Sequence, residues 1–99
     1  MIILIGTFRV DPEKLDAARP VMEKMVNASR KESGCLSYSY GEDISDVGLM
    51  RVSEIWTDQQ ALNWHMQSSH ISEWQAAWAD LGMSERRLMS YSAHSPRPC

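Results

Sequence analysis

The chain has 99 residues, the length of one domain. Its composition is ordinary for a globular protein, with 43% hydrophobic and 23% charged residues, and no apolar run approaches the roughly 20 residues that a membrane span needs. The net charge of −3 comes without a basic stripe, which argues against nucleic acid as a partner because that binding needs many phosphate contacts. We therefore expect a small soluble domain that binds neither nucleic acid nor membrane.

The start of the chain and its cysteines indicate a compartment. The first residues, Met1 to Gly6, lack a basic region, and their apolar run is too short for a signal peptide. The two cysteines, Cys35 and Cys99, are then expected to be unpaired thiols in a reducing environment. The sequence thus predicts a cytoplasmic protein without a disulfide.

The first predicted strand, residues 2–10, is apolar on both faces. One face carries Ile2, Leu4, Phe8 and Val10, and the other carries Ile3 and Ile5. A sheet with one solvated face should instead alternate apolar and polar residues. The second face of this strand therefore needs a partner surface.

A helix is predicted next, with Asp11 as its N-cap and Pro12 at its first position. Apolar residues recur at helical spacing down to about Lys31. Pro20 lies inside this pattern and should kink the helix. Gly34 is the predicted stop signal.

Two strands follow, and they should pair as an antiparallel hairpin. Residues 35–42 place Leu36, Tyr38 and Tyr40 on one face. Residues 49–56 place Met50, Val52, Glu54 and Trp56 on one face.

The second helical region is predicted to have a break. Thr57 and Gln60 resemble a capping box for a helix that runs to about Met66. Ser69 is the expected cap of a second segment, which ends near Gly82.

The chain ends in a last strand, residues 85–93, and an irregular tail, residues 94–99, so that residues 1–93 form the predicted domain. The order β-α-β-β-α-β is the ferredoxin-like arrangement, an α+β fold in which helices cover one face of a four-stranded antiparallel sheet. A second copy packed on the other face would bury the doubly apolar first strand. We therefore expect a homodimer.

Two motifs resemble the antibiotic-biosynthesis-monooxygenase family. Residues 32–38, ESGCLSY, resemble its E-x-G-C-x-x-Y pattern at the start of the second strand. Residues 54–56, EIW, followed by Ala61, Leu62, His65, Ser68 and His70, resemble its E-x-W…A-L-x-x-H-x-x-S-x-H stretch. The resemblance covers roughly residues 2–93. It implies a dimeric α/β barrel with a pocket between the sheet and the helices of each subunit.

The resemblance also implies a range of functions. Members oxidise phenolic or quinol-like molecules with O₂ and no cofactor, degrade haem, isomerise phosphorylated sugars, or have no known activity. The haem-degrading branch has an Asn in the first strand, a Trp in the second helix and an iron-ligating His ten residues later. Counted from Trp56, these last two positions fall on His65 and Gln75, and the first strand has no Asn. Haem degradation is therefore disfavoured.

The histidines are the predicted catalytic residues. His65 can take a phenol proton, because a neutral imidazole titrates near working pH; the alternative is a structural histidine bonded to a backbone carbonyl or to Glu54. His70 lies about 140° away on an unbroken helix, so the two cannot clamp a metal as an i,i+4 pair does. The sequence shows no third ligand, and we expect no metal.

The predicted substrate-binding residues are Trp56, Tyr38 and Glu54. Trp56 could form a flat wall for an aromatic substrate, and a Tyr38 hydroxyl could bond a substrate oxygen, although both could equally be core packing. Glu54 needs a partner if it is buried, and His65 or Arg51 could serve.

Three functions remain open from the sequence. The first is a cofactor-independent monooxygenase that oxidises a small phenol or quinol with O₂. The second is an isomerase of a small phosphorylated carbonyl sugar. The third is a non-enzymatic small-molecule-binding stress protein.

Overall fold

Four strands and three helices make up the fold of the computed structural model, which describes all residues from Met1 to Cys99. The elements are β1 (Ile2–Arg9), a short 3₁₀ turn (Pro12–Lys14), α1 (Leu15–Arg30), β2 (Cys35–Glu42), β3 (Leu49–Trp56), α2 (Gln59–Met66), α3 (Ser69–Ala77) and β4 (Ser84–Ser92). All neighbouring strands are antiparallel, in the order β2-β3-β1-β4. This confirms the α+β, ferredoxin-like prediction.

The two faces of the sheet follow from the strand registers. Leu4 pairs with Glu54, which pairs with Tyr38, and all three side chains point to the helices. Ile3 pairs with Ile55 and Tyr91, which point away from them. We call these the inner face and the outer face. The core lies between the inner face and the helices, where β1 and β3 contribute Leu4, Phe8, Met50, Val52 and Trp56.

α1 follows its predicted pattern, with Leu15, Ala18, Met22, Met25 and Val26 buried against the sheet. The helix is continuous through Pro20, the residue at which the sequence predicted a kink. The helix ends at Arg30, four residues before Gly34, and Gly34 does not have the left-handed conformation of a helix-terminating glycine. None of the helices is long and apolar enough to cross a membrane.

Several local predictions were wrong for identifiable reasons. The α2 cap is Asp58, whose side chain accepts from the Ala61 amide, in place of the predicted Thr57. The α3 cap is Ser68, whose hydroxyl accepts from the Ile71 amide, in place of Ser69. Leu36 is exposed and does not share a face with Tyr38 and Tyr40. The register of β2 shifts between Cys35 and Ser37, and this reverses the direction of the Leu36 side chain.

Candidate functional site

His65 lies in the last turn of α2 and is one of three buried polar or charged residues in the core. Its ring centroid is 4.5 Å from that of Trp56 and 5.4 Å from that of Tyr38. Trp56 is itself fully buried on β3. The imidazole is therefore held in one orientation by two aromatic rings of the inner face.

The break between α2 and α3 brings the second histidine to the first. The Ser68 hydroxyl donates to the His65 carbonyl at 2.7 Å and accepts from the Ile71 amide at 3.3 Å, so it ends one helix and begins the next. The ring centroids of His65 and His70 are 5.6 Å apart. The wide separation expected on a continuous helix does not apply, because the helix is not continuous.

Glu32 contacts both histidines, and the sequence analysis assigned no role to it. Its Oε2 atom lies 2.6 Å from His65 Nδ1 and 2.8 Å from His70 Nε2. An ionised carboxylate only accepts hydrogen bonds, so both ring nitrogens donate to it. The expected partners of His65, a backbone carbonyl or Glu54, are thus replaced by a residue from the connection between α1 and β2.

Gly34 explains how Glu32 reaches this position. A Cβ atom on Gly34 would lie 2.2 Å from the Ala61 Cβ, so only glycine allows the start of α2 to approach so closely. The Thr57 amide also donates to the Gly34 carbonyl at 2.9 Å. The ESGC segment is therefore packed against α2, two residues from the carboxylate that meets His65.

The protonation of His65 follows from this environment. Burial lowers the pKa of His65 below its ordinary value of 6.5, and the hydrogen bond and negative charge of Glu32 oppose that shift. The ring is therefore neutral near pH 7. With its proton on Nδ1, the Nε2 atom carries the free lone pair and can accept a proton.

An internal cavity lies between the inner face and the helices, next to the His65 ring. Its volume is about 20 Å³, enough for about one water molecule. The polar lining side chains are those of Tyr38, Tyr40, Glu54, His65, Gln75 and Arg86, and apolar groups from β1, α3 and β4 complete the wall. Where the family resemblance implies a pocket, the structure has a cavity with room for about one water molecule.

The buried polar groups of the cavity are paired with one exception. Glu54 accepts from Trp56 Nε1 at 3.0 Å, so its partner is neither His65 nor Arg51, and burial raises its pKa. The Tyr38 and Tyr40 hydroxyls bond each other at 2.8 Å, and burial raises both pKa values. Trp78 Nε1 is buried without a hydrogen-bond partner, in a ring that lines the cavity.

An outer groove lies on the other side of the histidine pair. It has a volume of about 460 Å³ and is lined by residues of α1 and α3 that include Lys24, Met25, His70, Glu73 and Trp74. His70 and Glu32 remain slightly exposed, whereas the His65 side chain is 2% exposed. Glu32, His65 and His70 thus form a cluster that extends from the internal cavity at His65 to the outer groove at His70.

The cluster also changes the expectation about metals. Glu32, His65 and His70 each offer one ligand atom, and these atoms lie within 4.8 Å of one another. The sequence showed no third ligand because Glu32 is more than thirty positions away from either histidine. Cys35 is a free, half-buried thiol, and burial raises its pKa, so it is a poor nucleophile.

Comparison with known proteins places the chain among relatives of one family. Residues 1–77 match the family "antibiotic biosynthesis monooxygenase". An uncharacterised Synechocystis protein, sll1783, is 30% identical over 81% of this chain, which spans only 54% of that protein. A Bacillus subtilis protein named "Putative monooxygenase YcnE" is 27% identical over 82% of this chain and 85% of its own length.

The similarity extends to a solved structure. A Deinococcus radiodurans protein described as a "putative antibiotic biosynthesis monooxygenase" superposes with a TM-score of 0.92 at 25% identity. The comparison covers 100% of this chain and 98% of that one. On the family match over residues 1–77, joined to this shared fold, the chain belongs to the antibiotic biosynthesis monooxygenase family.

Proposed function

We propose that this chain oxidises a small phenolic or quinol-type molecule with O₂, without a cofactor, and that His65 takes the substrate proton. The observation that carries this proposal is the Glu32–His65 hydrogen bond of 2.6 Å, next to a cavity that the His65 ring lines. The carboxylate fixes the tautomer of the ring and stabilises the imidazolium that forms, as a carboxylate does for a catalytic histidine in a triad.

The chemistry needs one proton transfer before oxygen reacts. The proton of the substrate hydroxyl moves to His65 Nε2, which leaves an electron-rich phenolate. The phenolate then gives one electron to O₂, which leaves a phenoxyl radical and superoxide. These combine to a peroxide that takes the proton back from His65 and loses water, so that one oxygen atom enters the quinone product and the other leaves as water. His65 is neutral near pH 7, so it can accept the substrate proton. The transfer therefore starts from an uncharged base in a buried cavity.

Substrate contacts are proposed from the groups that line the cavity. Tyr38 and Glu54 lie on the cavity wall. Trp56 is fully buried and does not line the cavity, so its role is to hold the His65 ring from the inner face. Trp78 Nε1 is a donor in need of an acceptor, which a substrate oxygen would supply. His70 would act from the far side of Glu32, where it shares the same carboxylate oxygen.

A volume of about 20 Å³ cannot hold an aromatic ring, so the cavity must open to admit one. Met66, Gln75 and Arg86 line it and are exposed residues, which makes them the movable part of the wall. The same closed cavity favours the second candidate, a protein that binds a small molecule without turning it over. The isomerase alternative has less support, because the cavity offers one cation, Arg86, to bind a phosphate group.

We also propose that the chain works as a homodimer in the cytoplasm. The outer face exposes the apolar side chains of Ile5, Met89 and Tyr91 on adjacent strands. A second copy packed on this face would remove them from water. The unpaired cysteines suit a reducing compartment.

Oxygen uptake over a panel of small quinols and phenols tests the activity. We expect uptake with at least one compound, and we expect His65→Ala to abolish it while His94→Ala, at an exposed histidine of the tail, leaves it unchanged. Binding of panel compounds without uptake would support the binding-protein candidate instead. An unchanged rate in His65→Ala would overturn the proposed role of that residue.

A further inference from the structure

We propose that Glu32, His65 and His70 form a binding site for a divalent transition-metal ion of the Zn²⁺ class. The site shares the Glu32–His65 contact with the oxygenase proposed above, and a bound ion would replace that hydrogen bond. Metal affinity can be measured without substrate, so the two proposals are tested separately. The donor set is two imidazole nitrogens and one carboxylate oxygen. These are ligands that Zn²⁺ and its first-row neighbours accept in proteins.

Without an ion, the donor atoms are held together by hydrogen bonds and lie closer to each other than the ligands of a bound metal do. Glu32 Oε2 is 2.6 Å from His65 Nδ1 and 2.8 Å from His70 Nε2. Ligand bonds of about 2.0–2.1 Å in a tetrahedral site place neighbouring donor atoms about 3.3 Å apart. Metal binding therefore requires the carboxylate to withdraw by roughly half an ångström or slightly more.

The parts of the site differ in how easily they can move. His65 is fixed between Trp56 and Tyr38 of the inner face. His70 follows the Ser68 cap at the first turn of α3. Glu32 is in the short connection between α1 and β2, and its side chain is 19% exposed. The adjustment can therefore be made by Glu32 together with His70, whose side chain is 17% exposed, while the buried His65 stays in place.

Access to the site comes from the outer groove. His70 lines that groove together with Lys24 and Glu73, whose side chains form an ion pair of 3.1 Å. Three protein ligands leave at least one coordination position, which water or a small ligand can fill from the groove. Both histidines must lose their Nδ1 or Nε2 proton to bind the ion, so binding releases protons and weakens as the pH falls.

Titration of the chelator-treated full chain with ZnCl₂, followed by calorimetry, tests this inference. We expect one ion per chain. We expect Glu32→Gln and His70→Ala each to weaken binding by about a hundredfold or more, beyond the usual effect of losing an outer-shell partner. His94→Ala and Glu73→Gln are the matched controls, and they should bind as the wild type does.

A second measurement reports the ligands directly. Co²⁺ in a four-coordinate site with histidine ligands gives strong visible absorption, and this absorption should disappear in His70→Ala while circular dichroism shows an unchanged fold. The proposal is overturned if wild type binds no Zn²⁺, if His70→Ala binds it with unchanged affinity, or if His94→Ala removes the binding. None of these outcomes bears on oxygen uptake, so the two proposals can fail separately.

Discussion

The two faces of the sheet depart from the usual pattern in opposite ways. The inner face is covered by helices and should be apolar, yet it buries Glu54 and packs against His65. The outer face is exposed and should be polar, yet it carries Ile5, Met89 and Tyr91, each more than half exposed. Buried polar groups are costly unless they are paired, and exposed apolar patches commonly mark interfaces. We infer that the inner face serves chemistry and the outer face serves assembly.

The largest expected effect is at the inner face. His65→Ala should lower kcat by about 10²- to 10⁴-fold, the contribution of a positioned general base, while the dimer stays intact. Steady-state oxygen uptake and light scattering measure the two properties on the same sample. A variant that loses activity only because it dissociates would contradict the division between the faces.

A charge on the outer face should have the converse effect. Ile5→Glu places a carboxylate in the proposed dimer contact, and its burial there would be unfavourable. We expect the mass measured by light scattering at micromolar concentration to fall to that of one chain. Ile44→Glu is the matched control, since Ile44 is fully exposed in the loop between β2 and β3. A wild-type chain that is already monomeric at this concentration would refute the dimer.

The pH dependence of activity sharpens the role of Glu32. Because burial lowers the pKa of His65 from 6.5, the acid limb of kcat/KM should lie below pH 6.5. Glu32 opposes that shift, so Glu32→Gln should move the limb to still lower pH and reduce the plateau. A limb that stays in place in Glu32→Gln would show that the carboxylate does not act on His65 in solution.

The smallest expected effect is on stability, through Glu54. Burial raises its folded-state pKa above 4.5, so the folded state holds the proton more tightly than the unfolded state and stability falls as the pH rises from 4.5 through the folded pKa. Glu54→Gln removes this loss and can still accept from Trp56. We expect its Tm to exceed that of wild type by a few degrees at pH 7, with a smaller difference near pH 4. Glu23→Gln, at an exposed carboxylate, should leave the Tm unchanged at both pH values.

The sequence predicted most of the fold because local patterns carry it. Periodicity placed β2 and β3 at their observed bounds, and the doubly apolar β1 indicated an outer face that needs a partner. The position of Leu36 was missed, because a shift in strand register depends on pairing with β3 and leaves no local signature.

The site was predicted only in part. His65 and His70 were singled out, and the predicted break between them left their separation open, because the direction of the second segment depends on how Ser68 caps it. Glu32 was visible only as the first letter of the ESGC motif, since its contact with His65 spans 33 positions. Gly34 was taken for a helix stop, whereas its function is to let α2 approach.

The tautomer of His65 tests the central claim most directly. Long-range ¹H–¹⁵N correlation spectra of ¹⁵N-labelled, chelator-treated protein near pH 7 distinguish the two ring nitrogens. The Glu32 hydrogen bond predicts the proton on Nδ1 and an unprotonated Nε2, with that preference lost in Glu32→Gln. A wild-type ring that carries its proton on Nε2 would contradict the account, since its lone pair would then be on Nδ1, which faces Glu32.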